Sequence, residues 1–183
     1  IVGSLLHGNL TNQKEKITLL QEIPLILLSG LIINYGIVLC FQSLKTSLLV
    51  GWIISIFGIF YFTKYIFRNH AQWSRIASSM NNWIGVFFLC LLYLSPILTE
   101  PLKAWDARSI WFFHAKMIYV AKSIGLAAGW QHPSAGFSHI AYPILVPTLS
   151  AQIAYTMGFW NEYIPKASLF FMFIPAVAWL FTF

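Results

Sequence analysis

The chain has 183 residues, of which 58% are hydrophobic, 17% aromatic and only 9% charged. Since an ordinary soluble domain carries about 25% charged residues, this composition indicates a membrane protein and excludes a soluble enzyme, a DNA-binding module and a disordered tail. The net charge of +6 requires no nucleic acid as a partner, because Lys and Arg in short loops set membrane orientation and contact anionic head groups.

Hydropathy predicts an all-α, polytopic membrane fold with five transmembrane helices. The predicted spans are residues 23–41, 48–67, 83–99, 140–158 and 167–183. Residues 1–99 thus contain the amino-terminal spans, 100–139 form a long extracytoplasmic loop, and 140–183 contain two further spans. Because the chain starts with Ile1 and stops at Phe183 inside an apolar run, both ends are expected to be cut from a longer protein.

Charge in the short loops predicts the orientation. The segment 69–82 and the end of the second span contain no acid and three basic residues: Lys64, Arg68 and Arg75. Short basic loops lie in the cytoplasm, so 69–82 is predicted to be cytoplasmic and 100–139 extracytoplasmic. The same orientation places Lys166 on the cytoplasmic side and Lys45 on the opposite side.

Cysteine and histidine usage gives no clear metal site. Cys40 and Cys90 lie in apolar runs without a CxxC motif, so neither a disulfide scaffold nor a zinc site is expected. His114, His132 and His139 share the long loop, but their spacing matches no metal-ligand pattern, so hydrogen bonding at the interface is the preferred interpretation. The sequence indicates no cofactor and leaves the participation of a divalent metal open.

Residues 103 to about 124 predict a juxtamembrane helix, since they include no Pro or Gly before Gly125. The segment is too charged to span a bilayer. Its aromatic side chains alternate with basic ones, a composition typical of a helix that lies in the membrane interface. Such a helix suits a site that binds an anionic lipid.

Asp106 is the one acid between Pro101 and Asn161. A carboxylate among cations at a membrane boundary can act as a general base or coordinate a cation. It can equally cap the juxtamembrane helix by accepting backbone N–H bonds. Both interpretations stay open on composition alone.

The chain re-enters the predicted bilayer through a proline-containing segment. His139 and Tyr142 lie there with Pro143 and Pro147, so some backbone carbonyls of the first turn lack helical donors. This broken helix start is either a simple kink or part of a cavity wall.

Three groups of residues in this region follow one another in a characteristic order. They are Trp105-Asp106 with Ser109, Trp111 and Ala115-Lys116; His139, Tyr142, Pro143, Leu145 and Pro147; and Gly158, Phe159, Trp160, Asn161 and Glu162 with Lys166. Over residues 100–168 this order resembles the GT-C superfamily of glycosyltransferases, which take sugars from polyprenyl-phosphate carriers. The superfamily includes the protein O-mannosyltransferases and the aminoarabinose transferase of lipid A.

The resemblance implies a membrane glycosyltransferase that transfers a sugar to an acceptor hydroxyl on the extracytoplasmic side of the bacterial inner membrane. Asp106 would be the catalytic base. The superfamily's usual Asp-Glu pair is here Asp106-Ala107, which keeps Glu100 as the alternative base. A second departure is that three predicted spans precede the loop where the superfamily core has one.

The candidate substrate-binding residues are Arg108, Lys116, His139 and Tyr142. The basic side chains would meet the leaving phosphate, although each is equally explained as a lipid contact. The expected partners are membrane lipid, a polyprenyl-phosphate sugar donor and other membrane subunits.

The competing interpretation is a non-catalytic integral membrane subunit of a larger complex, or a fragment of a transporter. In this case the aromatic loop would be a protein interface. Apart from Lys64 near the end of the second span, the predicted spans contain the polar residues Asn34 and Gln152 but no charged side chain of the kind that ion-coupled transport uses.

Overall fold

The computed structural model describes residues 19–68, 80–125, 129 and 132–180, and over these ranges the chain is helical with no β-strand. The α-helices are α1 (Leu19–Phe41), α2 (Leu44–Arg68), α3 (Met80–Thr99), α4 (Phe112–Ala121), α5 (Leu145–Met157) and α6 (Ala167–Leu180). Three shorter turns complete the path: a π-helical turn at Ala107–Trp111 and 3₁₀ helices at Pro133–Ser138 and Ile164–Lys166. The all-α prediction is therefore confirmed for the described part of the chain.

Two helices are long and apolar enough to cross a membrane, through Pro24–Phe41 of α1 and Leu44–Lys64 of α2. Only 11% of each window is buried inside the protein, so neither is the covered core helix of a globular domain. Phe87–Thr99 and Ile164–Trp179 are shorter apolar helical stretches. Of the predicted cytoplasmic segment 69–82, residues 69–79 lie outside the described part, as do 181–183 of the last predicted span.

The packing core lies where the α1–α2 turn meets α4 and α5. Its buried apolar residues are Val38, Leu44, Ile118, Ile124 and Ala151. At the other side of the bundle, α6 packs against both α1 and α3. Between α1 and α5, Asn34 and Gln152 exchange two side-chain hydrogen bonds, of 2.8 and 3.2 Å.

Helix α4 ends earlier than predicted because it is bonded to the α1–α2 turn. Lys122 adopts a left-handed backbone with φ of 55°, and its carbonyl accepts the N–H of Leu44 at 3.0 Å. Two residues later the N–H of Ile124 donates to the carbonyl of Gln42 at 3.1 Å. These bonds to a distant turn replace helical ones, so the helix stops at Ala121 and Gly125 is not its terminator. Its helical path begins at Trp105 rather than at residue 103.

Helix α5 is shorter than the predicted span 140–158. It comprises 13 residues, or about 20 Å at 1.5 Å per residue, against about 30 Å of hydrocarbon in a bilayer. Pro147 lies in its first turn, where a missing N–H leaves no bond broken. Gly158, in the left-handed region with φ of 80°, ends the helix.

The segment after α5, residues 158–166, returns to the carboxyl end of α3. There the Lys166 ammonium donates to the backbone carbonyl of Glu100. This contact contradicts the predicted placement of Lys166 opposite the 100–139 segment. The error has a physical reason, since an apolar stretch this short can pack beneath α4 and turn back instead of crossing.

Candidate functional site

A cavity of about 540 Å³ lies between the helical segment 105–121 and the 158–166 turn. Its walls are formed by Leu102, Lys103, Trp105, Arg108, Ser109, Phe112, Phe113, Lys116, Phe137, Trp160 and Glu162. The volume falls within the roughly 300–1,000 Å³ of small-molecule sites. We refer to it below as the cavity.

Opposite charges line different walls of the cavity. The basic residues Lys103, Arg108 and Lys116 belong to the segment that leads into and forms α4, whereas Glu162 belongs to the 158–166 turn. Indole rings occur on both sides, from Trp105 and Trp160. Cationic donors and aromatic faces together can bind a ligand that combines an anion with a sugar or a lipid chain.

The π-helical turn presents part of the cationic wall. The backbone N–H of Phe112 bonds to the carbonyl of Ala107, five residues earlier, and this wider turn contains Arg108 and Ser109. Single π turns within α-helices are frequent at functional sites.

Asp106 lies at the edge of this site rather than in its lining. It follows Trp105 and is two residues from Arg108, but its own side chain is exposed and absent from the cavity wall. Its backbone is helical, with φ of −58° and ψ of −41°, and its carboxylate makes no capping hydrogen bond. The helix-cap interpretation is therefore wrong, because a capping residue needs a non-helical backbone to reach the free N–H groups. Its role as the base stays a prediction.

Glu100, the alternative base, has an ionic partner. Its carboxylate lies 3.2 Å from the ammonium of Lys103, and both side chains are exposed. An exposed pair of this kind contributes about 0–1 kcal/mol. The backbone carbonyl of the same residue accepts Lys166, so Glu100 fixes the 158–166 turn through its main chain.

The predicted substrate-binding residues divide between two places. Arg108 and Lys116 line the cavity, whereas His139 and Tyr142 do not. Instead, the His139 ring stacks on Tyr142 with centroids 5.2 Å apart, and Tyr142 stacks on Trp111 at 5.9 Å. The proline-containing segment thus forms an exposed aromatic stack.

The histidines of the loop also separate. His114 is buried, and its Nε2 lies 3.0 Å from the hydroxyl oxygen of Ser138, which itself donates to the carbonyl of Ala135 at 2.6 Å. Burial lowers the pKa of His114 below 6.5. His132 accepts the backbone N–H of Ser134 at 3.3 Å. Within the described residues no group of three or more His, Cys, Asp or Glu side chains is placed to hold a metal ion.

The His114 contact positions one aromatic corner of the cavity. It ties α4 to the 3₁₀ helix at Pro133–Ser138. In this arrangement the rings of Phe113 and Phe137 lie 5.2 Å apart, and both rings line the cavity.

The sequence does not predict that Trp160 and Glu162 line the cavity, nor that Lys166 is buried in the turn that follows them. Lys166 is only 4% exposed, and its ammonium lies 4.9 Å from the centre of the Tyr163 ring. Burial lowers the pKa of Lys166, while the charges of Glu100 and Glu162 raise it. Pro143 and Pro147 are the sequence signal for this arrangement. They shorten α5, the helix that was predicted to separate the 158–166 turn from Asp106.

No protein-family model, no curated protein and no solved structure matches the chain. The function is therefore inferred from the geometry of the cavity.

Proposed function

We propose that the chain is a multi-pass membrane glycosyltransferase that moves a sugar from a polyprenyl-phosphate carrier to an acceptor hydroxyl. The observation that carries the proposal is the cavity, in which three basic side chains and two indole rings surround about 540 Å³. A phosphate-linked sugar needs this combination of charge and apolar ring faces. Residues 100–168 also resemble the GT-C superfamily in the order of their elements.

The cationic wall suits the phosphate of the donor. Arg108 and Lys116 are spaced by two helical turns and both line the cavity. A guanidinium can donate two parallel hydrogen bonds to a phosphate, and an ammonium adds a point charge. Their positive charge stabilises the phosphate as it leaves, which is when its negative charge grows.

Asp106 is the base in this proposal. The acceptor hydroxyl oxygen attacks the anomeric carbon, the bond from that carbon to the phosphate oxygen breaks, and the phosphate leaves with the electron pair. Asp106 takes the hydroxyl proton. Its exposed carboxylate is next to Trp105 in sequence, at the rim of the cavity, where an acceptor from outside can approach.

The proposed membrane placement has α1, α2 and α3 as spans. The α1–α2 turn bonds to the end of α4, and Lys166 bonds to Glu100, so both turns lie on the side of the 100–139 loop. Lys64, near the opposite end of α2, then lies in the cytoplasm, in agreement with the positive-inside rule. The proposal places the chain in a bacterial inner membrane with the cavity on the extracytoplasmic side.

Donor binding tests the proposal. We expect Arg108→Gln and Lys116→Gln each to weaken binding of undecaprenyl-phosphate glucose or mannose by about 10- to 100-fold, the cost of a hydrogen bond to a charged group. The measurement is a titration of the protein in lipid nanodiscs. Lys122→Gln is the matched control, because this exposed side chain follows α4 but does not line the cavity.

Equal donor affinities of the Arg108→Gln, Lys116→Gln and Lys122→Gln variants would contradict the proposal. Failure of the unmodified protein to bind either donor would do the same. Both results would favour a non-catalytic membrane subunit, in which these cations contact bulk lipid.

A further inference from the structure

The wall formed by the 158–166 turn is chemically distinct from the rest of the cavity. Glu162 is the one acid among the cavity-lining residues that the structure describes. Two residues before it, the half-buried Trp160 lines the same wall, and its ring lies 5.7 Å from that of Tyr119 on α4. The opposite wall is proposed to bind the phosphate, and Trp160 and Glu162 have no role in that binding.

We propose that Trp160 and Glu162 form the sugar-ring subsite of the cavity and that Glu162 determines whether a sugar is recognised. In this arrangement the carboxylate accepts hydrogen bonds from ring hydroxyls while Arg108 and Lys116 hold the phosphate. The inference rests on the proposed function and adds to it the residues that distinguish the sugar-bearing carrier from the bare one.

The argument starts from what a carboxylate can bind. An ionised Glu is an acceptor only, so it repels a phosphate and binds groups that donate. Sugar hydroxyls are such donors, whereas the phosphate and the hydrocarbon chain of the carrier provide none. Electrostatics therefore orient the donor, with its phosphate toward the basic wall and its sugar toward Glu162.

The indole of Trp160 supplies the second half of the subsite. A sugar ring presents apolar C–H groups on its faces and hydroxyls around its edge. An aromatic face beside a carboxylate matches both surfaces, because the ring buries the C–H face while the acid accepts from the edge. The contact with Tyr119 limits the movement of the indole.

The backbone around Glu162 is fixed before any ligand binds. The Oδ1 of Asn161 accepts the N–H of Tyr163 at 2.9 Å and that of Ile164 at 2.7 Å. Lys166 then holds the end of the turn against Glu100. A recognition residue on such a turn loses little conformational entropy on binding.

The test compares two lipids in nanodiscs, undecaprenyl phosphate and the same lipid bearing glucose or mannose. We expect the unmodified protein to bind one sugar-bearing lipid more tightly than the bare lipid. Glu162→Gln and Glu162→Ala should reduce that preference by about tenfold, corresponding to a lost charge-assisted hydrogen bond. Binding of the bare lipid should not weaken, which also shows that the variants are folded.

Arg108→Gln is the matched comparison. It should weaken the binding of both lipids by the same factor and leave the preference for the sugar-bearing lipid intact. The subsite assignment is overturned if the unmodified protein binds the sugar-bearing and bare lipids equally. It is also overturned if the Glu162 variants keep the full preference or weaken both lipids alike. In these cases phosphate binding, and with it the proposed function, still stands; binding of neither lipid overturns both.

Discussion

His114 is a titratable side chain buried between α4 and the 3₁₀ helix at Pro133–Ser138. It is 1% exposed and bonds to Ser138 across the loop. Because Ser138 donates its own hydroxyl hydrogen to Ala135, we assign the Nε2 of His114 as the donor in the bond between them. Protonation would place a charge in this buried position, which is why burial lowers its pKa.

The expected consequence is a loss of stability in mild acid. As pH falls, the unfolded chain binds a proton at His114 near pH 6.5, whereas the folded chain binds it only at a lower pH. The free energy of unfolding therefore falls as pH decreases through 6.5 and levels off below the lowered pKa of the folded chain. His114→Gln should flatten this part of the profile. Thermal unfolding in detergent between pH 7.5 and 5 measures it.

His132 provides the control for that measurement. It is exposed, so His132→Gln should keep the pH dependence of the unmodified protein. A profile of His114→Gln as steep as that of the unmodified protein would show that another group causes the acid sensitivity.

At the level of helices, the amide pair between Asn34 and Gln152 links α1 to α5. Each side chain donates to and accepts from the other, and Gln152 is buried. Replacing one partner leaves a polar amide without its bond in an apolar setting. The pair is therefore expected to specify how α5 seats against α1.

A double-mutant cycle tests this coupling. Asn34→Leu and Gln152→Met should each destabilise the protein, and the double variant should be more stable than the sum predicts, with a coupling of about 0.6–2 kcal/mol. Unfolding by SDS in mixed micelles gives the free energies. Additive effects would mean that the two amides do not act as a pair.

The sequence predicts the long helices well and α5 poorly, for one physical reason. Helices α1, α2 and α3 lie within a few residues of the predicted spans, because a long apolar run determines them locally. The run that contains α5 is less apolar and is interrupted by Pro143 and Pro147, and its contacts with α4 decide where it lies. Those contacts are tertiary and leave no hydropathy signal.

The same distinction between local sequence signals and tertiary contacts applies to the cavity. The aromatic and basic composition of residues 103–125 predicts an anion site, and Arg108 and Lys116 line the cavity. Glu162 could not be predicted as their counterpart, since the orientation rule assigned its turn to the other side of the membrane. The Lys166–Glu100 contact, which no periodicity reveals, joins the two walls.

For the whole molecule, the exposed apolar surface of α2 suits contact with lipid. Trp52, Ile56, Phe57, Ile59 and Phe60 are all more than half exposed on this helix. Apolar surface of this extent is unusual on a soluble monomer. In the proposed placement, with α2 in the bilayer, the α1–α2 turn and the 158–166 turn are expected on one side, because the first bonds to the end of α4 and the second to the end of α3.

Cysteine labelling in a background without Cys40 and Cys90 tests this topology. A membrane-impermeant maleimide added to intact spheroplasts should modify Lys45→Cys, Ser134→Cys and Glu162→Cys. It should modify Lys64→Cys only after permeabilisation, because Lys64 lies near the far end of α2. Protection of Glu162→Cys in intact spheroplasts would restore α5 as a span and separate Glu162 from the basic wall.

The central claim is that this chain transfers sugar with Asp106 as the base, and the rate of transfer tests it most directly. The measurement is the consumption of radiolabelled undecaprenyl-phosphate sugar by the full chain in acceptor-containing membranes. A general base contributes about 100- to 10,000-fold, so we predict that Asp106→Asn lowers the rate by that factor while donor binding persists. Glu100→Gln should cost much less, since the contact with Lys166 uses its backbone carbonyl. Normal transfer by Asp106→Asn, or no transfer by the unmodified protein, would contradict the account.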